Sequence, residues 1–331
     1  MPVTALQRPF APRAETSSSA PKPSTPKPSA REQVIAFLRG ASLGVTAPPV
    51  AELAAMRSVL PARSQIYLTA VAHRPYAEVI EAAVRVRAQG FEPVPHLAAR
   101  DIDSRDTLND VLSRLTRWAG VQRLLVAGGD APRAAGPFGS ALELIESGLL
   151  QRAGIGEIAL AGYPEGHPRL PRDVLDRSLA AKIEAAGQTG LRASIVTQLC
   201  FDAAAVLRWI ERLRDLGIEN PIRVGMAGPA NLSALIHLAR RCGVRASAQT
   251  LTRHAGLTKH LIAAGTPDRV IRPIAEAASS SALGEVSAHI FAAGSPAATA
   301  RWIAAAAAGR VAFEGGGFSV EAPRAPTEAA P

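Results

Sequence analysis

The chain has 331 residues, of which 47% are hydrophobic but only 4% aromatic, and it carries a formal net charge of +9. This length and hydrophobic content suit one large soluble domain or two ordinary ones, and no apolar run reaches the roughly 18 residues of a membrane span. The basic residues are scattered singly rather than grouped beside aromatic ones, which argues against a nucleic-acid partner. Two cysteines, Cys200 and Cys242, are too few for a disulfide framework and favour a reducing, cytoplasmic location.

The N-terminal stretch differs in composition from the rest of the chain. Residues 1–32 include "TSSSAPKPSTPKPSAR", in which proline, serine and lysine leave almost nothing to bury. Such a composition predicts a disordered tail. We expect one folded domain over residues 33–312 and a C-terminal tail over residues 313–331.

From residue 33 the chain alternates short apolar runs with segments of helical period. Eight such runs are present, at 41–47, 64–70, 92–98, 122–128, 155–163, 192–199, 222–228 and 287–294. The segments between them include predicted helices at 76–90, 140–154 and 203–217, several of which end in glycine. Apolar strands that are each followed by a helix are buried on both faces and therefore parallel. Eight units predict a closed (β/α)8 TIM barrel; an open doubly wound sheet is the alternative, weakened by the absence of a G-x-G-x-x-G motif.

In a barrel of this kind, functional residues follow the carboxyl ends of the strands. The motif "YPEGHP" after the fifth strand contributes Tyr163, Glu165 and His167 at that end. Other candidates at strand ends are Thr69, His96, Asp130 and Gln198, and we expect these positions to converge on one mouth.

Each candidate also has a structural explanation. His96 could be a core imidazole, and Asp130 could cap a helix or close a glycine turn. Gln198 lies within an apolar run and needs a hydrogen-bond partner, whereas Cys200 is expected to be a buried residue of the core. No pair of His or Cys residues has metal-ligand spacing, so we expect no metal.

Three motifs in one order carry a family resemblance. The segments "LLVAGGDAP", "AGYPEGHP" and "IVTQLCFD", with "EPVPHLAA" before them and "SAHIFAAGSPAATARWI" after them, resemble the methylenetetrahydrofolate reductases. The resemblance runs from about residue 40 to residue 305. It implies a barrel that holds FAD and that transfers hydride between NAD(P)H and the 5,10-methylene- and 5-methyltetrahydrofolate pair.

The same resemblance implies roles for individual residues. The positions that match FAD-binding residues of the family are Thr69, His96, Gly129, Asp130, Phe138, Gly139, Tyr163, His167, Ser178 and Lys182. Asp130 and Gln198 match the residues that bind the folate and act in catalysis. Glu165 is expected to point away from the cofactor and to anchor its loop.

The chain departs from the family pattern at three places. Gly44, in "SLGVTAPP", replaces the first-strand glutamate that supplies a proton to the folate. Gly128 replaces the arginine before the Gly-Asp pair, and "AGSPA" replaces an Asn-Arg pair after the last strand. Three explanations remain open for Gly44: another group donates the proton (Glu165, His96 or a water held by Asp130), the reaction runs in the oxidising direction, or the barrel binds its ligands without competent catalysis.

The last explanation would make the chain a companion subunit or carrier in a methyl-transfer pathway, with a methyltransferase as partner. The alanine-rich run "IAAAAAG" at residues 303–309 is either a face for a second copy, which would make the protein a homo-oligomer, or a helix packed on the barrel.

Overall fold

The computed structural model of the protein describes residues 28–69, 75–231, 233–235, 238 and 265–321. The central feature is a closed barrel of eight parallel strands in sequential order. The strands are β1 Ser42–Val45, β2 Gln65–Leu68, β3 Glu92–Ala98, β4 Arg123–Ala127, β5 Glu157–Gly162, β6 Arg192–Leu199, β7 Ile222–Ala227 and β8 Val286–Phe291. Pairing of Ser42 with His289 between β1 and β8 closes the barrel. The predicted TIM barrel is thus confirmed, and the open sheet is excluded.

Helices connect the strands around the outside of the barrel. Those in the described part are α1 Ala30–Leu38, α2 Val50–Arg57, α3 Tyr76–Ala88, α4 Arg105–Ala119, α5 Ala141–Glu146, α6 Leu149–Arg152, α7 Arg172–Gln188, α8 Ala203–Asp215, α9 Asp268–Ala278 and α10 Pro296–Ala307. None of them is long and apolar enough to cross a membrane. The run at 303–309 begins within α10, where Ile303, Ala305 and Ala306 are buried.

Two expectations about the outer elements need correction. The single helix predicted at 140–154 is two short helices, because Gly148 takes a left-handed conformation (φ +67°) between them. Residues 313–320, expected to be a tail, belong to a hairpin of β9 Val311–Glu314 and β10 Gly317–Val320. Phe318 of this hairpin is buried and stacks on Trp302 of α10, and this apolar contact holds the segment on the barrel. At the other end, α1 begins at Ala30; residues 1–27 and 322–331 lie outside the described residues.

The apolar core has two layers. One cluster fills the space between the strands and the surrounding helices, and a second lies inside the barrel. The inner cluster takes one buried residue from each of five strands: Tyr67, Val94, Leu125, Ala159 and Val196. A packed interior closes the lower part of the barrel, so a ligand must bind at the rim.

Candidate functional site

A cavity of about 520 Å³ lies at the carboxyl ends of β4, β5 and β6 and against α7. This volume is in the range of small-molecule and cofactor sites. Eight of the predicted site residues line the cavity: Gly129, Asp130, Gly139, Tyr163, His167, Ser178, Lys182 and Gln198. The predicted residues at the ends of β4, β5 and β6 therefore lie around one cavity, as expected.

The other three predicted residues do not line this cavity. Thr69 continues β2 by donating its backbone N–H to the Val45 carbonyl at 2.9 Å. His96 points into the barrel interior, where its Nε2 is buried, and Phe138 lies in the apolar core with Arg105 over its ring.

The end of β4 brings the backbone close to the cavity. Gly129 has φ +88°, and a Cβ on this residue would lie 3.2 Å from the Cβ of Ala98. Only glycine suits both the conformation and the space, so the turn presents bare backbone to a ligand. Asp130 follows it, exposed, with Oδ1 3.4 Å from the guanidinium of Arg169 across the cavity mouth.

The loop after β5 has a defined shape. Gly166 turns the chain with φ +87° and donates its N–H to the Tyr163 carbonyl at 3.1 Å. The rings of Tyr163 and His167 then meet edge to face, with centroids 5.2 Å apart. Partial burial and the nearby Asp130 raise the pKa of Tyr163, so the phenol stays protonated and can donate a hydrogen bond.

One backbone contact fixes the state of His167. The N–H of Arg169 donates to His167 Nδ1 at 3.2 Å, which leaves the ring proton on Nε2. Burial and the neighbouring Arg169 lower the pKa of His167. The imidazole is therefore neutral at pH 7 and has one N–H donor to offer.

Glu165 anchors this loop, as expected from the sequence. Its Oε1 accepts the backbone N–H groups of Phe201 and Asp202, the latter at 2.7 Å, where β6 leads into α8. The carboxylate thereby ties the loop after β5 to the next strand. These two hydrogen bonds restrain the loop in the present conformation, which would reduce the entropy lost when a ligand binds.

A bulge in β6 aims Gln198 at the cavity. The pairing of β6 with β7 shifts between Val196 and Leu199, and Thr197 Oγ1 accepts the N–H of Gly225 at 2.7 Å. Bulges of this kind redirect side chains at functional sites. Gln198 lines the cavity, and its amide forms no hydrogen bond with another residue that the structure describes. Cys200 is buried, as expected, and burial raises the pKa of its thiol.

The cavity is rich in positive charge. Arg100, Arg169 and Lys182 line it, and Asp130 is its one lining carboxylate in the described part. Burial lowers the pKa of Lys182, whose ammonium forms no ion pair or hydrogen bond with a described residue. A largely buried cation that has no partner within the described part of the chain is suited to bind an anionic group. Sequence reasoning did not single out Arg100 or Arg169.

Below the rim, two histidines occupy the barrel interior beside Tyr67. The rings of His289 and Tyr67 are 4.8 Å apart, those of His96 and Tyr67 6.1 Å. His289 Nδ1 lies 2.8 Å from Ser42 Oγ, and the Nε2 atoms of both histidines are buried with no described protein partner. Burial lowers the pKa of His96 to about 4 and that of His289 well below its usual value, so both are neutral.

A family model and the relatives found by sequence comparison agree on one protein family. A family model described as methylenetetrahydrofolate reductase matches residues 51–260, which excludes β1 and Gly44. The 5,10-methylenetetrahydrofolate reductase of Pectobacterium carotovorum is 30% identical over 171 residues, 51% of this chain and 54% of that protein. Methylenetetrahydrofolate reductase 2 of Saccharomyces cerevisiae is 31% identical over 161 residues, 46% of this chain and 26% of that protein. The chain thus spans about half the length of the bacterial relative and a quarter of the yeast one.

A solved structure supports the fold. An uncharacterized protein from Clostridium thermocellum, described as binding two copies of 5-methyl-5,6,7,8-tetrahydrofolic acid, superposes with a TM-score of 0.53 at 12% identity, over 83% of this chain and 99% of that one. The family model covers well over half of the chain, and its motifs carry the residues that line the cavity. This protein belongs to the methylenetetrahydrofolate reductase family.

Proposed function

We propose that the protein is a flavin-dependent oxidoreductase that interconverts 5,10-methylenetetrahydrofolate and 5-methyltetrahydrofolate, with NAD(P)H as the other redox partner. The observation that carries this proposal is the cavity at the ends of β4–β6, where Asp130, Gln198 and Lys182 line one space. Family membership supports the reaction, and the folate ligand of the Clostridium thermocellum neighbour supports the substrate class.

The lining residues fit FAD in shape and charge. Lys182 and Ser178, one helical turn apart on α7, form a wall that suits a pyrophosphate, and Lys182 lacks any other described partner. Tyr163 offers a flat face, and the bare backbone at Gly129 lets a planar ring approach closely. Bound in this cavity, FAD would supply a group that accepts hydride from NAD(P)H and donates it to the methylene carbon.

The chain's own residues would bind and orient the reactants. Neutral His167 would donate a hydrogen bond from its Nε2–H to a ribose or phosphate oxygen. Protonated Tyr163 would donate a hydrogen bond from its hydroxyl group to the cofactor. Asp130 and Gln198 would bind the amino- and oxo-bearing edge of the pterin ring, since a carboxylate accepts and an amide both accepts and donates. Asp130 would also orient a water toward the folate nitrogen that is protonated when the ring opens.

A second candidate function is supported by one observation. The space beside Gly44, where a first-strand carboxylate would extend, is filled by the rings of His289 and Phe291. With no acid at that place, the protein would bind folate and flavin without efficient reduction and serve a methyltransferase as a companion subunit or carrier. Loss of a positioned general acid costs about 100- to 10,000-fold in the assisted step.

Anaerobic half-reactions distinguish the two functions. For the FAD-loaded protein we expect NADH to bleach the flavin absorbance and 5,10-methylenetetrahydrofolate to restore it within seconds. Asp130→Asn and Gln198→Ala should slow the second step more than the first, while Gln188→Ala, on the outer end of α7, should change neither. Bleaching without folate-dependent recovery would support the carrier, and no spectral change with either reagent would refute the oxidoreductase.

A further inference from the structure

Arg100 is one of the residues that line the cavity. It lies in the short 3-10 turn Ala99–Asp101 that follows β3, two residues beyond the end of that strand. The turn faces the loop of residues 128–139, which joins β4 to α5 and which contains no helix or strand. Such a loop keeps one conformation only if contacts outside it hold it in place.

Arg100 makes four hydrogen bonds to that loop, spread along its whole length. Its backbone N–H donates to the carbonyl of residue 128 at 3.0 Å, and its carbonyl accepts the N–H of Ala135 at 2.8 Å. Its side chain adds two bonds, from Nε to the Gly139 carbonyl at 2.8 Å and from Nη1 to the Ala131 carbonyl at 3.3 Å. One residue thus bonds to the loop at its beginning, middle and end.

The neighbouring packing strengthens the same junction. A Cβ on Gly136 would lie 2.1 Å from the carbonyl oxygen of Asp103, so the loop touches the chain after β3 directly. The Cβ of Arg100 lies 3.6 Å from the place where Gly129 would carry its own. The loop and the turn after β3 therefore form one packed unit with Arg100 at its centre.

Arg100 lines the cavity while its guanidinium bonds to the loop. Arginine has five N–H donors, and two of them are used on the loop carbonyls. The Nη2 group has no hydrogen-bond partner among the described residues, so it remains available at the cavity wall. Gly128 stands where the family pattern has an arginine, directly before Gly129 and Asp130. In this chain Arg100, from the turn after β3, supplies a positive charge near that pair.

We propose that Arg100 is the positioning residue of this cavity: it holds the 128–139 loop in the ligand-binding conformation and fixes a positive charge beside Gly129. This inference rests on the proposed function only for the identity of the ligand ring, a flavin. A fixed cation there would stabilise the anionic reduced form of that ring relative to the oxidised form, because opposite charges attract strongly in a partly desolvated site.

The test compares Arg100→Gln and Arg100→Lys with Arg133→Gln, which removes an exposed charge from the same loop. Hydrogen exchange of the loop amides, Ala135 above all, needs no ligand. We expect exchange about tenfold faster in Arg100→Gln, intermediate in Arg100→Lys and unchanged in Arg133→Gln, because lysine keeps the charge but lacks the planar fork that reaches both carbonyls. Affinity for FAD should fall at least about tenfold in Arg100→Gln, with a lower flavin midpoint potential that Arg100→Lys partly restores.

The two claims fail in different ways. Unchanged loop exchange in Arg100→Gln would overturn the positioning role, as would faster exchange with unchanged FAD affinity. If the wild-type protein binds no FAD, the proposed function fails; the positioning role then requires both faster exchange and weaker binding of 5-methyltetrahydrofolate in Arg100→Gln, and it is overturned if either is absent.

Discussion

His289 occupies the side-chain space of Gly44 on the inner wall of the barrel. A Cβ built on Gly44 would lie 2.9 Å from His289 Nε2 and 2.9 Å from Cδ1 of Phe291. Both rings come from β8, the strand that pairs with β1 to close the barrel. The packing at position 44 therefore leaves room only for glycine. In the proposed reaction, the proton donor to the folate would have to reach it from another side of the cavity.

This packing predicts that side chains at position 44 are destabilising. We expect Gly44→Ala to lower the free energy of unfolding by about 1–3 kcal/mol, because extra atoms in a filled core force the neighbours aside. Gly44→Glu should cost more, since it also buries a carboxylate, and it should not raise folate reduction. Gly187→Ala is a suitable control: a Cβ there meets nothing within 4 Å, and alanine favours the helix by up to about 1 kcal/mol. A stable, faster Gly44→Glu enzyme in urea titrations and folate assays would contradict this account.

The buried histidines predict a loss of stability in mild acid. The pKa of His96 is near 4 in the folded protein against 6.5 when unfolded, so the unfolded chain binds more protons between these values. The free energy of unfolding is therefore at its full value above pH 6.5 and decreases as the pH drops toward 4. His96 accounts for at most about 3 kcal/mol of this decrease. Urea unfolding at pH 7, 6, 5 and 4.5 measures how steeply the free energy of unfolding depends on pH. His96→Gln should make this dependence less steep. Equal slopes in the two proteins would show that His96 is not held neutral.

The ion pair of Asp130 and Arg169 should matter for binding rather than for folding. Both side chains are largely exposed, 78% and 60%, and exposed pairs contribute at most about 1 kcal/mol. We expect Arg169→Ala to leave the melting temperature nearly unchanged, but to weaken FAD binding and to reduce its dependence on salt. Arg177→Ala is the matched control, because its pair with Asp173 is equally exposed but lies away from the cavity. Identical salt dependence in wild type and Arg169→Ala would exclude a role for this cation.

Lys182 should show opposite effects on stability and on cofactor binding. Its ammonium is largely buried without a described partner, so Lys182→Met removes a desolvation cost and should keep or raise the free energy of unfolding. The same change should weaken FAD binding by about 10- to 100-fold, because the contact with the phosphates is lost. Calorimetric titration and thermal unfolding of one preparation give both values. Unaltered FAD affinity in this variant would place the phosphates elsewhere.

The strands were predictable because burial on both faces leaves a clear apolar signal. The predicted bounds of β3 and β6 agree with the structure, and the others differ by one to three residues at one or both ends. The split between α5 and α6 was not predicted, since periodicity continues across Gly148 and only its positive φ breaks the helix. The hairpin at 311–320 was missed because its strands are short and lie within a stretch rich in alanine and glycine.

The site residues were predictable where they stand in short motifs that the sequence itself displays. Tyr163 and His167 are held in one loop, and motif and geometry agree on them. Arg100 gave no signal, because its partners are about 30 to 40 residues further along the chain and are backbone carbonyls that any sequence provides. The orientation of Gln198 depends on a bulge between two strands, which a single strand's sequence does not reveal.

The absorption spectrum of the purified protein tests the central claim, that one rim cavity holds a flavin. After incubation with FAD and removal of the excess, we predict a yellow protein with about one flavin per chain, and a Tyr163→Ala, Lys182→Met double variant that retains little of it. A wild-type protein that stays colourless, or a double variant that binds as much flavin as the wild type, would contradict the account.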